Sequence, residues 1–513
     1  MRRTTNAPLG VIAVSLVAIA VNFPGDGRGA HAQDPSQVGQ WEWENLTSPV
    51  PATNEFVLPT GLVVLVALGG QQNWGTLWDP LDGNYTYKPA PRQTNCSGFC
   101  QLPDGRILVA GGGPIKTEVS IFDPFTENGG SWTSAAPLAN PLFYPTCTPL
   151  PDGRVLVTGG ENNIPEIYDP NTGTWESLNA GPVSMRYPRM FVLPSGLVFS
   201  AGSQSGMTHT FDVANDSWEE VGNCGPICVY PSGNKRPVVA LEPGKILSSG
   251  GGSAAAMIID FNVDPAETPS WEPTTSMNLS RNNHNATLLP DGTVLVTGGV
   301  LAAELFNPGD KTWTVMASMH YARSDHSTAP LLPDGRVASR EEDSSNPQIF
   351  SPPYLFKGAR PTIVTGPDSI GYGRSFEVET DSNSIGSVAL LRPSATTHLN
   401  DMGQLYIPLA FTPSGGTLAV SAPANANLAP PGYYMLFIVN QIGVPSIAHF
   451  VQVAASAPCP WDLGGNGNVD VPDLLALLAA WGSNPGGPPD FDGNGMVAVP
   501  DLLALLSAWG PCP

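Results

Sequence analysis

The segment LPDGRVLVTGG at residues 150–160 decides the fold class. Pro-Asp-Gly is a tight-turn sequence whose glycine supplies a positive φ, and the apolar run after it has the length of a β-strand ending at a Gly-Gly pair. Related turn phrases recur at intervals of roughly 40–50 residues, the period of β-propeller blades. The seven copies lie at 58–61, 102–105, 150–153, 193–196, 241–244, 289–292 and 332–335. The sequence therefore predicts a seven-bladed β-propeller over residues 40–358.

A second motif recurs on the strand that follows the Gly-Gly pair. An aromatic residue stands before Asp-Pro and is followed by a tryptophan, as in Tyr168-Asp169-Pro170 with Trp175. Its counterparts are Trp78-Asp79-Pro80, Phe122-Asp123-Pro124 with Trp132, Phe211-Asp212 with Trp218, and Phe306-Asn307-Pro308 with Trp313. We interpret these aromatic residues as packing between blades rather than as a ligand platform. A blade cannot bury both faces alone, so the blades are expected to close into a ring of the kelch type.

The repeat pattern stops after the seventh copy, where Phe350-Ser351-Pro352-Pro353-Tyr354 leads into a different kind of sequence. Alternating strands, such as the run YMLFIV at 434–439, predict an immunoglobulin-like β-sandwich domain over residues 359–454. A duplicated segment with helical periodicity follows at 459–513. We therefore predict an all-β protein with a small α-helical, EF-hand or dockerin-like module after the sandwich.

Charge and N-terminal sequence indicate an exported protein. The formal net charge of −22 argues against nucleic acid and anionic lipid as partners, because both require a basic surface. Arg2-Arg3, the apolar run 9–21 and Ala30-His31-Ala32 form the three regions of a signal peptide over residues 1–32. No later segment is long and apolar enough to span a membrane. We expect a soluble, secreted protein, either extracellular or periplasmic.

The cysteine count is odd, which is unusual for a compartment that permits disulfides. Two of the possible pairs lie close in sequence or bracket the tail, namely Cys224 with Cys228 and Cys459 with Cys512. The other three are Cys96, Cys100 and Cys147. Three thiols cannot all pair, so one of them is expected to be free or modified.

The tail contains two copies of Pro-Asp-Leu-Leu-Ala-Leu-Leu, each after an acidic loop. In the second copy, positions 1, 3, 5 and 12 of an EF-hand calcium loop are Asp490, Asp492, Asn494 and Asp501, with Gly495 at position 6. The first copy offers Asp462, Asn466, Asp470 and Asp473, and Gly464 leaves its position 3 empty. The arrangement looks like a dockerin module, which implies calcium and a cohesin-like or surface partner. A degenerate helical tail without metal is the alternative.

Two phrases before neighbouring turns resemble the galactose oxidase and glyoxal oxidase family of copper-radical enzymes. They are Asn95-Cys96-Ser97-Gly98 and Phe143-Tyr144-Pro145-Thr146. Cys96 and Tyr144 each stand 15 positions before the first glycine of their Gly-Gly pair, at 111 and 159, so they come from equivalent places in neighbouring blades. The resemblance extends over residues 40–454.

The resemblance implies a role for each matching residue. Cys96 and Tyr144 would be joined by a thioether, and the modified Tyr144 would hold a radical and bind copper. This use of one thiol without a partner fits the odd cysteine count. His326, in Asp325-His326-Ser327, and His398, in Thr397-His398, would be the copper-binding imidazoles, a ligand type that suits Cu(II). The other histidines considered, His209, His284 and His449, are interpreted as packed or surface side chains.

The sequence departs from the family at the place of the axial tyrosine, where Asp325 stands. A carboxylate could bind copper and act as a base there. Asn162 occupies the place of the stacking tryptophan, so Phe143 or another aromatic residue is expected to cover the thioether instead. Gln404-Leu405 replaces the family's Gln-Arg. The resemblance implies an oxidase that converts a primary alcohol, aldehyde or carbohydrate with O2 and forms H2O2. The alternative is a non-catalytic propeller that binds a glycan or protein partner. No motif indicates a hydrolase or lyase.

Overall fold

The computed structural model describes residues 33–43, 48–66, 75–160, 164–181, 186–202, 206–224, 236–264, 267–341, 344–454, 460–463, 468–483, 485 and 489–511. The predicted signal peptide lies outside these residues. The described part begins with the short helix α1 (Pro35–Val38), whose N-terminal amide at Ser36 is capped by the side chain of Asp34. No helix in the described ranges is long and apolar enough to cross a bilayer.

Strands between residues 40 and 351 form a succession of seven small antiparallel sheets within the described ranges. The strands are β1 (Gln40–Glu42), β2 (Asn54–Val57), β3 (Val63–Val66), β4 (Gly75–Trp78), β5 (Tyr85–Tyr87), β6 (Gly98–Gln101), β7 (Ile107–Ala110), β8 (Val119–Asp123), β9 (Ser131–Ala135), β10 (Pro145–Pro149), β11 (Val155–Gly159), β12 (Glu166–Asp169), β13 (Thr174–Ser177), β14 (Met190–Val192), β15 (Val198–Ser200), β16 (Met207–Asp212), β17 (Ser217–Asn223), β18 (Val238–Glu242), β19 (Lys245–Ser249), β20 (Ala256–Asp260), β21 (Trp271–Pro273), β22 (His284–Leu288), β23 (Val294–Gly298), β24 (Val300–Asn307), β25 (Thr312–Ser318), β26 (Val337–Glu341) and β27 (Ser344–Ser351). A single 3₁₀ turn, Glu127–Gly129, precedes β9.

Strands consecutive in sequence pair within each sheet, so the sheets are meanders such as β6-β7-β8-β9 and β10-β11-β12-β13. One exception is the last sheet, in which β1 from the N-terminal end pairs with β27 and aligns Trp41 with Phe350. The start of this region is therefore tied to its end. The chain is all-β in this region and consists of many small sheets.

The repeated turn has the predicted conformation. Gly105 has a φ of 88°, and its N–H donates a 3.0 Å hydrogen bond to the carbonyl oxygen of Leu102. Only glycine adopts this left-handed conformation without steric cost, which explains its place in the motif. A side chain there would also meet the ring of Tyr433, because a Cβ added at Gly105 would lie 2.9 Å from that ring.

The motif tryptophans pack between sheets, as predicted. The ring of Trp175 lies 4.9 Å from that of Tyr168, and its Nε1–H donates a 2.8 Å hydrogen bond to Ala136, which follows the preceding sheet. Trp132 and Trp313 donate in the same way to the carbonyl oxygens of Lys88 and Thr275. Each tryptophan thus fixes its sheet against the one before it.

Two further sheets share one core after the 3₁₀ turn Pro353–Phe356. Their strands, with the hairpin and tail elements that follow them, are β28 (Ile363–Thr365), β29 (Ser369–Ile370), β30 (Ser375–Thr380), β31 (Ile385–Leu391), β32 (Ala395–Thr397), β33 (Asn400–Asp401), β34 (Tyr406–Leu409), β35 (Phe411–Ser414), β36 (Thr417–Ser421), β37 (Gly432–Asn440), β38 (His449–Val453), β39 (Asn468–Val469), α2 (Val471–Ala479), α3 (Val499–Ser507) and β40 (Gly510–Pro511). The two sheets have the orders β28-β30-β36-β35 and β29-β38-β37-β31-β34. Val378, Leu390 and Leu436 are among the side chains buried between them.

The hairpin β32–β33 leaves these two sheets and joins the first small sheet, in the order β33-β32-β2-β3-β4-β5. Asn54 on β2 pairs with Thr397, and Glu55 pairs with Thr396. The C-terminal sheets are therefore connected to the N-terminal ones by main-chain hydrogen bonds. The tip of the hairpin is the stretch that carries His398.

The two tail helices repeat one another. Both have the sequence Val-Pro-Asp-Leu-Leu-Ala-Leu-Leu at their start, and Leu477 of α2 and Leu505 of α3 are fully buried in a small core. The short strands β39 and β40 pair beside them. The predicted helical character of the tail is thus present in the described residues.

Candidate functional site

Three residues at equivalent places come together at the starts of neighbouring sheets. Cys96, Tyr144 and Tyr187 stand just before β6, β10 and β14, and their φ values are 59°, 66° and 48°. The N–H of Tyr144 donates a 2.9 Å hydrogen bond to Cys96, and the N–H of Tyr187 donates one of 2.7 Å to Tyr144. A left-handed conformation costs a non-glycine residue about 1 kcal/mol or more, and such strain is concentrated at functional sites.

Cys96 and Tyr144 lie side by side. Their side chains are hydrogen-bonded, the Cys96 thiol is buried, and the Tyr144 ring is half-buried. Burial and then Cys96 raise the pKa of the Tyr144 phenol above its usual range, while Arg186 opposes this rise. The Arg186 guanidinium lies 4.7 Å from the centre of the Tyr144 ring. The structure thus brings together the two side chains that the family resemblance predicts to be linked.

His398 reaches the same place from the hairpin β32–β33. His398 and Leu399 form its two-residue loop and have φ values of 47° and 65°, the pattern of a tight hairpin turn. Nδ1 of His398 is 2.6 Å from the Thr397 hydroxyl oxygen, and Nε2 is 3.9 Å from Sγ of Cys96. The contact with Thr397 orients the buried imidazole so that Nε2 faces the Cys96 and Tyr144 side of the site.

His326 and Asp325 lie on the more exposed side of the cluster. The ring of His326 is 4.4 Å from that of His398, at an angle of 75°. Nε2 of His326 is 4.0 Å from Oδ2 of Asp325, and the two side chains are 27% and 40% exposed. This side of the cluster is therefore open to a small molecule. The Asp325 carboxylate is also close enough to contribute to the raised pKa of Tyr144.

The donor set of this cluster fits copper. Two imidazoles, one phenol and one carboxylate are nitrogen and oxygen ligands, which suit Cu(II) in a tetragonal arrangement. The His398 ring is perpendicular to the Tyr144 ring, with their centres 5.5 Å apart. Four side chains from three distant parts of the sequence thus belong to one cluster. Tyr144, His326, His398 and Asp325 are the residues that could hold the metal.

Tyr187 belongs to the cluster, although the sequence motifs did not assign it to the site. It is fully buried, and its hydroxyl donates a 3.2 Å hydrogen bond to the carbonyl oxygen of Ser97. Its ring centre is 5.2 Å from that of Tyr144 and 5.1 Å from that of His398. Burial raises its pKa well above the usual range. The sequence does contain a pattern that could have assigned Tyr187 to the site. Tyr187 precedes Gly202 by 15 positions, the same distance that separates Tyr144 from Gly159.

The three positions at which the sequence differs from the family pattern around the site have different surroundings. Asn162 lies outside the described residues. Phe143 contacts Tyr144 edge-on, with ring centres 4.6 Å apart, so it covers part of that ring. Gln404 is buried, and its Oε1 accepts a 2.8 Å hydrogen bond from the N–H of Leu288, which is a packing role.

The packing interpretation of the other histidines is confirmed. His284 is fully buried, and its Nε2 lies 3.2 Å from the Ser249 hydroxyl oxygen. His209 is buried, and Nε2 of His449 is 3.0 Å from the carbonyl oxygen of Pro367.

The described cysteines are in different states. Cys224 is disulfide-bonded, and its predicted partner Cys228 lies outside the described residues, as do Cys459 and Cys512. Cys100 and Cys147 are fully buried thiols. We predicted that at least one of Cys96, Cys100 and Cys147 stands outside a disulfide, and this agrees with the described structure.

The second tail loop brings its acidic residues together. Oxygen atoms of Asp490, Asp492 and Asp501 lie within 4.8 Å of one another. Gly495 has a φ of 88°, and its N–H donates a 2.8 Å hydrogen bond to Asp490. The N–H of Asn494 donates to both Asp490 and Asp492. In the first loop, the N–H of Asp470 donates to Asp473, and Asn466 lies outside the described residues.

Comparison with known proteins finds similarity to copper-dependent and related oxidases. Residues 360–453 match the family model described as galactose oxidase-like, early set domain. The chain is 28% identical to a galactose oxidase from Gibberella zeae, an alignment that covers 81% of this chain and 71% of the relative. It is 30% identical to the aldehyde oxidase GLOX of Vitis pseudoreticulata, over 44% of this chain and 54% of that protein. The solved structure of a fungal alcohol oxidase in complex with copper shares the fold, with a TM-score of 0.74 at 24% identity, over 82% of this chain and 100% of that one.

Proposed function

We propose that this chain, which belongs to the galactose oxidase and glyoxal oxidase family, is a secreted copper-radical oxidase acting on a primary alcohol or an aldehyde. For an alcohol the reaction is RCH₂OH + O₂ → RCHO + H₂O₂. The observation that carries the proposal is the convergence of Cys96, Tyr144 and His398, with Sγ of Cys96 only 3.9 Å from Nε2 of His398. Relatives named galactose oxidase and aldehyde oxidase support the same chemistry.

Each side chain has a role in this proposal. Tyr144, His326 and His398 would hold the metal. The S–H bond of Cys96 and one ring C–H bond of Tyr144 would be replaced by a single S–C bond, with the two electrons and two protons passing to O₂ to give H₂O₂. Copper, when bound, supplies the one-electron chemistry with O₂. Asp325 stands at the open side and accepts the hydroxyl proton of the substrate, a role that suits a partly exposed carboxylate beside an imidazole. The thiol, the phenol and the buried imidazole are placed by strained main chain, so little reorganisation is needed at the reacting centre.

The rest of the chain is assigned on the same basis. We propose that the seven small sheets are the blades of a kelch propeller spanning 40–358, and that residues 359–454 are the sandwich domain. The main-chain pairing of β32 with β2 supports this assignment, because it places His398 of the sandwich beside Cys96 of the propeller. Residues 1–32 are proposed to direct export.

Asp325 is also the observation that favours a second candidate function. If a carboxylate in place of the axial tyrosine prevents assembly of the thioether, the protein would be a non-catalytic propeller that binds a glycan or protein partner. The first experiment is designed to separate these two functions.

The test is peptide mapping by mass spectrometry under reducing conditions. The purified mature protein is incubated with Cu(II) in air, and Tyr144→Phe is the matched control because it removes only the phenol oxygen. We expect a cross-link between Cys96 and Tyr144 that survives reduction in the wild type and is absent from the variant. We also expect H₂O₂ to form only when the wild type is given a primary alcohol or aldehyde. An unlinked Cys96 in copper-loaded wild type would favour the binding function.

For the tail, we propose a calcium-binding module of the dockerin type. The convergence of three carboxylates in the second loop supports calcium there, and Asp462, Asn466, Asp470 and Asp473 are proposed for the first loop. Both helices expose the same apolar residues, between 43% and 61% accessible, at positions 28 apart in the sequence. They are Val471, Leu475, Leu478 and Trp481 in the first copy, and Val499, Leu503, Leu506 and Trp509 in the second. This repeated apolar surface supports a cohesin-like or surface partner.

A further inference from the structure

Cys100 and Cys147 are two buried thiols that the proposed oxidase chemistry does not use. Cys100 lies on β6 and Cys147 on β10, the strands that begin next to Cys96 and Tyr144. Both side chains are fully buried in the same apolar cluster, together with Leu108 of β7. The two thiols are therefore close to each other and enclosed by the neighbouring sheets.

The position of the Cys147 sulfur relative to β6 is shown by its distance from Gly98. A Cβ placed on Gly98 would come within 2.9 Å of Sγ of Cys147, so this sulfur lies directly over Gly98. Gly98 and Cys100 share one face of β6, because side chains two apart in a strand point the same way. Burial raises the pKa of the Cys147 thiol well above its usual range, and the neighbouring Cys100 thiol raises it further. Sγ of Cys147 therefore lies against the same face of β6 that carries the Cys100 side chain.

We infer that Cys100 and Cys147 form a disulfide that joins the two strands carrying Cys96 and Tyr144. If Cys96 forms the thioether, Cys100 and Cys147 are the two cysteines left to pair with each other. An exported chain also meets conditions in which disulfides persist. It goes beyond the proposed function, because the disulfide forms whether or not copper binds.

The oxidant is a low-molecular-weight disulfide in the compartment to which the chain is exported. Two S–H bonds break and one S–S bond forms between Cys100 and Cys147. The two electrons and two protons pass to the external disulfide, whose S–S bond is cleaved to give two thiols. Because both cysteines are fully buried in the folded chain, this exchange takes place during folding. Once formed, the bond is enclosed and resists reductants that act on the native protein.

The cross-link would connect residues four positions after Cys96 and three after Tyr144. It fixes the offset of β6 against β10 close to the point where the thiol and the phenol meet. The disulfide and the proposed thioether would therefore be two parallel links between the same pair of strands. Only the disulfide is opened by reduction, and this difference makes the two links separable.

The test is alkylation of the full mature chain, purified without copper and denatured without reductant. Trypsin places Cys96 and Cys100 on the peptide 93–106, and Tyr144 and Cys147 on the peptide 117–154. We expect Cys96 to be alkylated while Cys100 and Cys147 are protected, and we expect the two peptides to be joined until a reductant is added. Alkylation of both Cys100 and Cys147 before reduction would overturn the inference, as would a disulfide from either one to another cysteine.

Two variants separate this inference from the proposed function. In Cys96→Ala the thioether cannot form, so the two peptides should be joined before reduction and should separate completely after it, with or without prior exposure to copper. In the double variant Cys100→Ala/Cys147→Ala, copper treatment should still join the two peptides, and this link should survive reduction. Failure of the second result alone contradicts the proposed thioether and leaves the disulfide standing. Failure of the first overturns the disulfide.

Discussion

The backbone N–H of Leu399 donates a 3.2 Å hydrogen bond to the carbonyl oxygen of Ser327, and each of these residues directly follows a candidate copper-binding histidine. The hairpin that carries His398 is thereby attached to the segment that carries His326. Their imidazole rings lie 4.4 Å apart as a result. The relative position of the two imidazole rings is thus set by a main-chain contact between segments that are distant in sequence.

Thr397 is expected to control copper affinity through His398. In Thr397→Val the 2.6 Å contact between the hydroxyl and Nδ1 is lost while the size of the side chain is nearly kept. Loss of such an orienting partner typically weakens metal binding by roughly 10–100-fold. The measurement is a competition titration with Cu(II). Thr396→Val is the matched control, because that hydroxyl bonds the Glu55 carbonyl oxygen and should leave copper affinity unchanged. Equal affinities in the two variants would show that Thr397 does not orient the imidazole.

Asp325 is expected to contribute a charged ligand or base. In Asp325→Asn a neutral amide replaces the carboxylate, so we expect copper affinity to fall by about tenfold or more and proton transfer from an alcohol to be lost. Affinity is measured by titration and the Cu(II) environment by its electron paramagnetic resonance spectrum. Asp310→Asn, which alters an exposed turn carboxylate, is the control. An unchanged spectrum and affinity in Asp325→Asn would exclude the carboxylate as a ligand.

His284 is expected to make the fold sensitive to acid. Burial, with the nearby Arg281 and Arg236, lowers the pKa of its imidazole from 6.5 to about 3. Between these values the unfolded chain binds a proton that the folded chain does not, so the free energy of unfolding decreases as the pH falls. The slope for one linked proton is at most about 1.4 kcal/mol per pH unit.

The check is denaturant unfolding as a function of pH for the wild type and His284→Gln. The glutamine cannot take up this proton, so the dependence between pH 6.5 and about 3 should flatten. His449→Gln, at a partly buried histidine, controls for the change of residue type. If the wild type and His284→Gln keep the same slope, another group is responsible for the acid sensitivity.

Asp490 is expected to be a calcium ligand in the second tail loop. Asp490→Asn removes one of three converging carboxylates, so we expect calcium binding at this loop to weaken by at least about tenfold. Isothermal titration of the full chain measures it, with Asp82→Asn in an exposed turn as the control. Equal calcium affinity in both variants and the wild type would contradict a site in this loop.

Much of the local structure could be predicted from the sequence, because it depends on neighbours in the chain. The tight turns follow from Pro-Asp-Gly, and the tail helices follow from the repeated Leu-Leu-Ala-Leu-Leu run. The packing of Trp175 could also be inferred, since the aromatic motif recurs once per repeat. Cys96 and Tyr144 were found through phrases that resemble the oxidase family, and both stand 15 positions before a glycine. The same spacing before Gly202 could have identified Tyr187.

The site itself required the tertiary structure. His398 is separated from Cys96 by 302 positions, and no periodicity in the sequence relates the two. Their approach depends on β32 pairing with β2, and main-chain pairing between strands so distant in sequence leaves no local signal. The facing thiols of Cys100 and Cys147 likewise depend on how two sheets pack. The sequence alone determined the repeats, their turns and the types of side chain available for chemistry. Only the tertiary structure decided which of these side chains meet, because long-range strand pairing and packing between sheets set the distances between them.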